Sequence, residues 1–264
     1  MKVAVVEFKN YPRSVEEALD AVGAADILRD QNKVILKPNV INDSPPPITT
    51  PVACVEAVLH YCRSHSDAEI AIAEGCGGLN THEAFRKLGY TDLAHRMGAR
   101  LIDLDSEDTV TLKNPAFEYL PEFHMPKCLT DCFLISIPVL KAHSMAKVTL
   151  SLKNMIGVAP ARYYCASAYR KSKLHGRNNR ELHRYIIELN RYRKPDLSLL
   201  DATIGMAEAH LWGKRCDPPV NKILASLDPV ALDAAGAELL GFDWQKIDHI
   251  NLADGVLGEV DQPG

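Results

Sequence analysis

The fold of this chain is decided at residues 132 to 157, which read CFLISIPVLKAHSMAKVTLSLKNMIG. The first nine residues, CFLISIPVL, are the most apolar run that is typical of a strand anywhere in the chain. Four cationic or imidazole side chains then follow within thirteen residues, with no acidic residue between them: Lys141, His143, Lys147 and Lys153. The stretch therefore predicts a buried strand that leads directly into a cationic segment.

Runs typical of strands and runs typical of helices alternate along the rest of the chain. Further strands are predicted at residues 1–8, 33–39, 69–75, 100–105, 196–202 and 222–227. Helices are predicted from Ser14 to about Arg29, from Thr50 onward, and over residues 81–88, 91–97, 179–192 and 229–241. Strands separated by helices of this length indicate an α/β fold, in which a mostly parallel sheet carries helices on both faces.

The segment at residues 107–130 departs from this alternation, because it holds two or three short extended pieces and no helical pattern. It predicts an irregular or antiparallel insertion in the α/β fold. We expect a single domain over residues 1–264, in which residues 107–180 are the place for a small subdomain.

Three helix starts carry recognisable capping signals. Ser14 followed by Glu17 has the form of a capping box, in which the serine caps the helix. Thr50 and Asp228 each precede a proline, and proline is favoured at the first position of a helix. We therefore expect Ser14, Thr50 and Asp228 to act as N-caps.

Composition excludes several classes of protein. The chain has 264 residues, of which 47% are hydrophobic, and this is enough for one large domain. A net charge of −4 argues against nucleic-acid binding through bulk charge. No apolar stretch reaches the length of a membrane-spanning helix. The N-terminal MKVAVVEF predicts a strand and not a signal peptide, because acidic Glu7 interrupts the apolar run too early. We therefore expect neither a nucleic-acid partner nor a membrane.

The seven cysteines are scattered, and their number is odd. This pattern argues against a disulfide framework and favours reduced thiols in a cytoplasmic protein. The closest pair, Cys128 and Cys132, is spaced more widely than the pairs of most zinc or iron–sulfur sites. We expect no metal site and no intrinsic iron–sulfur cluster.

Ligands of open α/β sheets bind in the crevice beyond the carboxyl ends of the strands. Lys37 and Asn39 end the second predicted strand, and Glu74 ends the third, just before a glycine-rich turn. Asp201 lies at the end of the strand at 196–202. Lys37, Asn39 and Asp201 are candidates for substrate binding, whereas Glu74 is a candidate acid or base. The glycine turn does not match a nucleotide-binding motif.

The cationic segment itself permits two interpretations. If residues 147–153 are extended, Lys147, Thr149, Ser151 and Lys153 share one face of the strand. This face is either a solvated strand edge, where lysine discourages aggregation, or one wall of an anion pocket. We take the pocket as the leading hypothesis. Its predicted substrate-binding residues are Lys141, Lys147, Ser151, Asn154 and His175, and Lys153 is a predicted catalytic residue.

His143 follows the most apolar strand by a few residues, where catalytic groups often lie. It is either a proton-transfer group or a histidine with a structural hydrogen bond. The long segment that follows, at residues 160–178, adds more cationic side chains: Arg162, Arg170, Lys171, Lys173, His175 and Arg177. We expect this segment to act as a mobile lid, and we expect His175 to join His143 if the lid folds back.

Several stretches together resemble the family known as domain of unknown function 362. They are VILKPNV, ITTPVACVEAV, EIAIAEG, LKAHSMAKVTLSLKNMIG, LLDATIGM and ILASLDPVALDAAGAELLG, in the order of the family. The resemblance covers most of the chain from Lys33 to Gly241. Members are often joined to ferredoxin-like iron–sulfur modules, but this chain lacks the four-cysteine runs of such a module.

A shorter pattern is similar to the nickel-pincer lactate racemases. In that family a histidine precedes the lysine that tethers the cofactor, and a nickel-binding histidine follows. His143, Lys153 and His175 fit this order, although the second gap is longer here. The racemases also have a histidine just after the glycine turn, where this chain has Cys76. Shared ancestry of the fold is a simpler reading than a shared reaction or a shared nickel cofactor.

We therefore expect a cytoplasmic protein that binds a small carboxylate or phosphate. His143, Lys153 and Glu74 would carry out proton transfer in an isomerase-like or redox-associated enzyme. Two alternatives stay open: a redox accessory protein that docks an acidic ferredoxin-like partner on the cationic segment, and a binding module without chemistry. A concave site would favour the enzyme, and a flat cationic surface would favour docking.

Overall fold

The computed structural model describes residues 2–167 and 170–260 of the chain. Its strands are β1 (Ala4–Glu7), β2 (Lys33–Pro38), β3 (Glu69–Glu74), β4 (Arg100–Asp103), β5 (Thr109–Lys113), β6 (Glu122–Pro126), β7 (Phe133–Ile137), β8 (Val139–His143), β9 (Lys147–Thr149), β10 (Leu197–Met206) and β11 (Lys222–Ser226).

The central sheet has the strand order β1-β11-β10-β7-β2-β3-β4, and β8 pairs with both β10 and β9. Four neighbouring pairs in this order are parallel: β10–β7, β7–β2, β2–β3 and β3–β4. The pairs β10–β11, β1–β11 and β8–β9 are antiparallel. The predicted mostly parallel sheet is confirmed, with antiparallel strands at one side.

The helices are α1 (Tyr11–Ala21), α2 (Ala24–Arg29), α3 (Val52–His65), α4 (Thr81–Leu88), α5 (Tyr90–Met97), α6 (Ser151–Asn154), α7 (Ala161–Tyr164), α8 (Asn179–Tyr192), α9 (Pro229–Leu239) and α10 (Asp248–Asn251). None of those within the described residues is both long enough and apolar enough to cross a membrane.

Two apolar clusters cover the two faces of the sheet, because side chains alternate along each strand. Val34 and Leu36 of β2 belong to the cluster that includes residues of α1, α3, α4 and α5. Ile35, between them, belongs to the cluster that includes residues of α8, α9 and α10. Helices therefore lie on both faces of the sheet, as the alternation of elements predicts.

The irregular segment at 107–130 contains a small second sheet, in which β5 and β6 pair antiparallel. The carboxylate of Glu188 on α8 accepts hydrogen bonds from the backbone N–H groups of Glu118, Tyr119 and Leu120 in the connecting loop. One buried carboxylate thus ties this hairpin to the main body. The prediction of an antiparallel insertion here is confirmed.

The first predicted helix cap was wrong by one turn. Helix α1 starts at Tyr11, and the Asn10 side chain accepts a hydrogen bond from the backbone N–H of Arg13 at 3.0 Å. Asparagine caps as well as serine does, and Pro12 suits the first turn. Ser14 is therefore buried inside the helix, where its hydroxyl accepts from the Lys9 N–H. The predicted single helix to Arg29 is also interrupted at Gly23, whose φ is +72°.

Thr50 does not cap α3 either, although the predicted helix is present. Its hydroxyl donates to the Ile137 carbonyl at 2.7 Å and accepts from the Asn39 N–H at 2.9 Å. The side chain therefore joins the ends of β2 and β7. The third prediction is confirmed, because Asp228 caps α9 by accepting from the N–H groups of Val230 and Ala231.

The expectation that residues 147–153 are continuously extended was also wrong. Strand β9 ends at Thr149, and α6 begins at Ser151. The carboxylate of Asp233 on α9 accepts from the backbone N–H groups of Ser151 and Leu152, which are free at a helix start. Because the chain turns into a helix here, Lys147 and Lys153 do not share one strand face.

Candidate functional site

A group of polar side chains lies buried at the carboxyl edge of the parallel sheet. Strand β2 ends at Lys37 and Pro38, β3 ends at Glu74, and β8 ends with Lys141 and His143. Helix α6 places Lys153 against the same edge. Parallel strands bring their carboxyl ends together, and this is why residues distant in sequence meet here.

The first element of the site is an ion pair between Lys37 and Glu74. The Lys37 Nζ lies 3.0 Å from Glu74 Oε2, and the side chains are 0% and 2% exposed. Glu74 also accepts from the backbone N–H groups of Val40 and Gly75 at 3.0 and 2.8 Å. Burial lowers the pKa of Lys37, and the neighbouring Glu74 carboxylate opposes this effect. The charge of Glu74 is thus satisfied by the protein itself.

Gly157 lies against this ion pair. A Cβ atom on Gly157 would overlap Glu74 Oε1 and would lie 2.7 Å from Lys37 Nζ. Only a residue without a side chain permits the backbone to approach the pair this closely. The glycine of the sequence NMIG is therefore part of the site's architecture.

Asn154 connects the ion pair to the neighbouring lysine. Its Oδ1 accepts from Lys37 Nζ and from Asn39 Nδ2, both at 3.1 Å. Its Nδ2 donates to the Lys37 carbonyl and to Ser136 Oγ. Asn39 Oδ1 in turn accepts from Lys141 Nζ. These contacts form a polar chain of five residues: Glu74, Lys37, Asn154, Asn39 and Lys141.

Lys141, at the end of this chain, has neutral partners. Its Nζ donates to Asn39 Oδ1 and to the Ile48 carbonyl, which is 2.7 Å away. The residue is 1% exposed. Burial lowers the pKa of Lys141 to about 7, and the nearby Lys153 ammonium adds to this effect.

Lys153 has no such partners. It is 9% exposed, and it makes no hydrogen bond or ion pair within the part of the chain that the structure describes. Burial lowers the pKa of Lys153 to about 8. The Nζ atom itself is not among the fully buried polar atoms without a partner, so it keeps some contact with solvent. A nearly buried lysine without a partner among the described residues is still the most unusual side chain of the site.

His143 is held in one orientation by the turn that follows it. Its Nδ1 accepts from the backbone N–H groups of Met145 and Ala146, both at 3.1 Å. Burial lowers the pKa of His143, and the Lys153 ammonium lowers it further. The ring is only 5% exposed. Its Nε2 makes no hydrogen bond among the described residues, so it remains available to a ligand.

Two aromatic residues of the site were not found from the sequence. The ring of His210 stacks on His143, with centroids 4.0 Å apart and planes 14° apart. Trp212, whose centroid is 5.7 Å from that of His210, is 74% exposed. The crevice rule does select the loop after β10, which carries both residues, but no motif within that loop distinguishes them.

The lid segment folds back onto the site in its described part. His175 is close enough to lower the pKa of His143, and its own pKa is lowered to about 4 by burial and by the Lys153 ammonium. Its Nδ1 lies 3.2 Å from the Lys171 carbonyl. His175 therefore lies near His143 and Lys153. Residues 168 and 169 of this segment lie outside the described residues.

Lys171 and Asp105 form a second buried ion pair beside the first. The Lys171 Nζ lies 3.2 Å from Asp105 Oδ1 and donates to the Gly157 carbonyl at 2.8 Å. Arg170 also contacts the Asp105 carboxylate. Sequence reasoning counted Lys171 only as one cation of the lid and missed Asp105, because nothing in the local sequence links positions 66 residues apart.

Three predicted site residues have other partners. Lys147 is exposed at the first position of β9, where it pairs with His143 in the strand register and has a φ of +66°. The Ser151 hydroxyl pairs with that of Ser198. Asp201 accepts from the hydroxyls of Tyr11 at 2.9 Å and Thr203 at 2.6 Å. The structure brings together the remaining predicted residues, which are Lys37, Asn39, Glu74, Lys141, His143, Lys153, Asn154 and His175.

Two surface clefts lie elsewhere on the protein. One, of about 610 Å³, is lined by residues of α1 and α3, and the other, of about 410 Å³, is lined by residues near β6, α7 and α8. Neither is lined by a predicted catalytic or substrate-binding residue, but Arg162 and Lys173 of the lid segment line the second. We place the candidate site at the lysines, because buried charge without a partner indicates a ligand more specifically than surface concavity does.

The polar groups that remain free in the site include hydrogen-bond donors and also the buried Nδ1 of His210, which has no partner within the described ranges. Lys153 and the Nε2 edge of His143 have no partner among the described residues. No group of three or more histidine, cysteine, aspartate or glutamate side chains is placed to share a metal ion in that part of the chain. The arrangement is suited to an oxygen-rich anion.

Comparison with known protein families gives a match over most of the chain. Residues 34–238 match the family described as Domain of unknown function (DUF362). This range includes every predicted site residue, as well as His210 and Asp105. No curated protein matches the chain.

Proposed function

We propose a function for this chain, which belongs to the family described as Domain of unknown function (DUF362). The protein binds a small carboxylate or phosphate at the buried lysines, and it transfers a proton there. The observation that carries this proposal is Lys153, an almost completely buried lysine without any partner among the described residues. A buried ammonium is costly unless an anion or strong acceptors compensate it. A bound anion would supply that compensation.

The balance of charge supports an external anion. Of the four buried lysines, Lys37 pairs with Glu74 and Lys171 pairs with Asp105. Both carboxylates of the site are therefore already engaged. Lys141 and Lys153 contact no carboxylate in the described residues. When protonated, these two lysines are the buried charges that remain for a ligand to neutralise.

The same groups are suited to proton transfer. A lysine works as an acid or base near neutral pH only if its pKa falls towards that range. Burial brings the pKa of Lys153 to about 8. His143, which also lies in this site, offers a second polar group to a bound substrate. These features support an enzyme that moves a proton on an anionic substrate, although they do not identify the substrate.

The docking alternative receives less support. A surface that binds an acidic ferredoxin-like protein needs exposed cations. Lys141 and Lys153 are buried, and the Arg162 guanidinium contacts the carbonyls of Asp105 and Glu107. Among the described residues of 141–177, the exposed cations are Lys147, Arg162, Lys173 and Arg177, and none of the four belongs to the buried lysines of the site. A cytoplasmic location remains part of the proposal, because it rests on the pattern of the cysteines alone.

Calorimetric titration tests the proposal directly. The wild type is titrated with a panel of small carboxylates and phosphates, and so are Lys153→Met and a control, Lys33→Met. Methionine preserves the length of the side chain, and Lys33 lies at the opposite end of β2, where it donates to the Cys128 carbonyl. We expect Lys153→Met to weaken binding by about ten- to a hundredfold, which corresponds to a charged hydrogen bond of about 1.5–3 kcal/mol.

The control should bind as the wild type does. If the wild type binds no member of the panel, or if Lys153→Met binds as tightly as the wild type, the proposal is wrong.

A further inference from the structure

We propose that the ligand of this site carries two negative charges. When it binds, Lys141 and Lys153 together take up a proton. His143 stays neutral and only donates a hydrogen bond to the ligand. This inference rests on the proposed function, since it names the charge of the anion. The ligand class is a dianion, either a dicarboxylate or a tetrahedral oxyanion such as a phosphate monoester.

The number of charges follows from the partners of the two lysines. The Lys141 Nζ contacts two neutral acceptors, Asn39 Oδ1 and the Ile48 carbonyl. Lys153 contacts no acceptor in the described residues. A ligand with a single charge would leave one buried ammonium uncompensated, whereas a dianion would compensate both.

The two lysines also act on each other. The Lys153 ammonium contributes to lowering the pKa of Lys141 to about 7, after burial as the larger cause. Burial lowers the pKa of Lys153 itself to about 8. Lys37 and Glu74 face Lys141 and have opposite effects. The histidines whose pKa the Lys153 ammonium lowers are His143, His175, His183, His210 and His249.

A dianion beside the two lysines favours their charged forms, so both pKa values rise when it binds. At about pH 7.5 the empty site is incompletely protonated, and binding should therefore take up about one proton. At about pH 6 both lysines already carry their protons, and uptake should approach zero. Above about pH 9 each lysine must first be protonated, so the affinity should fall as the pH rises.

His143 cannot receive this proton. Its Nδ1 accepts from two backbone N–H groups, so in the neutral ring the proton lies on Nε2. An imidazolium would direct a second N–H at those two donors. The ring therefore stays neutral and presents only the Nε2–H to a ligand oxygen. Burial also lowers the pKa values of His175 and His210, to about 4 and about 3, so these rings are neutral too.

The test uses three ions whose charge is constant above neutral pH. Sulfate represents a tetrahedral dianion, succinate a dicarboxylate, and acetate a monoanion. Each is titrated into the wild type at about pH 7.5 in three buffers of different ionisation enthalpy, because the change in observed heat with buffer gives the number of protons taken up. We expect sulfate or succinate to bind at least about tenfold more tightly than acetate, with uptake of about one proton.

The preference between sulfate and succinate identifies the shape of the dianion. If acetate binds as tightly as both dianions, or if no proton is taken up, this inference is wrong while the anion site stands. If none of the three ions binds and the wider panel also fails, the proposed function is wrong together with the inference.

Two variants identify which side chains take up the proton when the ligand binds. Lys153→Met should reduce the uptake by about a quarter or more, because Lys141 has the lower pKa and takes up most of the proton at about pH 7.5. It should also remove the preference for dianions, because one of the two charges is gone. His143→Gln should weaken binding but keep the uptake, since His143 does not titrate. Loss of proton uptake in His143→Gln would overturn the assignment. Nitrogen NMR of labelled histidine gives an independent readout, because His143 should keep its Nε2–H form from about pH 6 to about pH 9.

Discussion

The carboxylate of Asp233 lies 2.7 Å from the backbone nitrogen of Ser151, a residue 82 positions away, and fixes the start of α6. A second hydrogen bond, of 3.0 Å, joins the same carboxylate to the N–H of Leu152. Lys153 and Asn154 follow immediately on this short helix. The placement of both side chains in the candidate site therefore depends on a buried acid of α9.

Asp233 should make the stability of the protein depend on pH. Burial raises the pKa of Asp233 to about 8, against the opposing effect of the two N–H donors. The folded state then holds a proton that the unfolded state releases, so the free energy of unfolding should fall as the pH rises from about 4 to about 8. In Asp233→Asn this part of the pH dependence should disappear.

Urea unfolding at several pH values measures this effect. The comparison uses the slope of stability against pH, so a constant loss of stability in Asp233→Asn does not affect the conclusion. Parallel slopes for the two proteins would contradict the prediction.

Removal of Lys37 should strongly destabilise the protein. Lys37→Met leaves Glu74 buried without its ammonium, and breaking a buried pair in this way costs about 3–5 kcal/mol. The double variant Lys37→Met/Glu74→Gln removes both charges, so it should recover part of the loss. Chemical denaturation of the wild type, Lys37→Met, Glu74→Gln and the double variant gives the coupling energy. A double variant that is less stable than Lys37→Met would show that the charge of Glu74 is compensated elsewhere.

Gly157→Ala should also destabilise the site. The added Cβ would overlap Glu74 Oε1, and overpacking of this kind costs about 1–3 kcal/mol. Gly241→Ala is the matched control, because no atom lies within 4 Å of its Cβ position, and only its φ of +77° opposes the change. This control should lose about 1 kcal/mol. Thermal unfolding of both variants tests this prediction. An unchanged unfolding midpoint for Gly157→Ala would contradict the close approach of the Gly157 backbone to the Lys37–Glu74 ion pair.

Asp228→Ala should cost about 1 kcal/mol through loss of the α9 cap. The side chain also accepts from the backbone N–H of Glu259 at 2.7 Å, so the loss should exceed that of Asp228→Asn, which keeps one acceptor oxygen. Denaturant titration of both variants tests the order. Equal stability of Asp228→Ala and the wild type would exclude capping as the role of this residue.

The sequence predicts the elements of the sheet well, because apolar runs and helix signals are local. Lys37, Glu74, Lys141 and His143 could be assigned to one site for a general reason: the ends of parallel strands meet. The helix caps show the limit of local signals. Ser14 and Asn10 are both good caps, and the sequence does not say which of them the helix uses.

The parts that could not be predicted depend on contacts between distant residues. Lys147 and Lys153 fit one strand face by their spacing, but Asp233 stabilises a helix start between them. The stacking of His210 on His143 is set by a loop 67 residues away, and the pairing of Lys171 with Asp105 likewise has no local signature. Such contacts depend on how the whole chain packs, which no local pattern records.

The polar chain from Glu74 to Lys141 also has a consequence for dividing the protein into fragments. Its members come from two separate regions, residues 37–74 and residues 141–154, and the hairpin of β5 and β6 lies between them in sequence. A cut in the loop of that hairpin would leave Lys141 and Lys153 on one piece and their supporting residues Lys37, Asn39 and Glu74 on the other. Recovery of anion binding would then show that the two pieces had reassociated, so a binding titration could be used as a fragment-complementation assay.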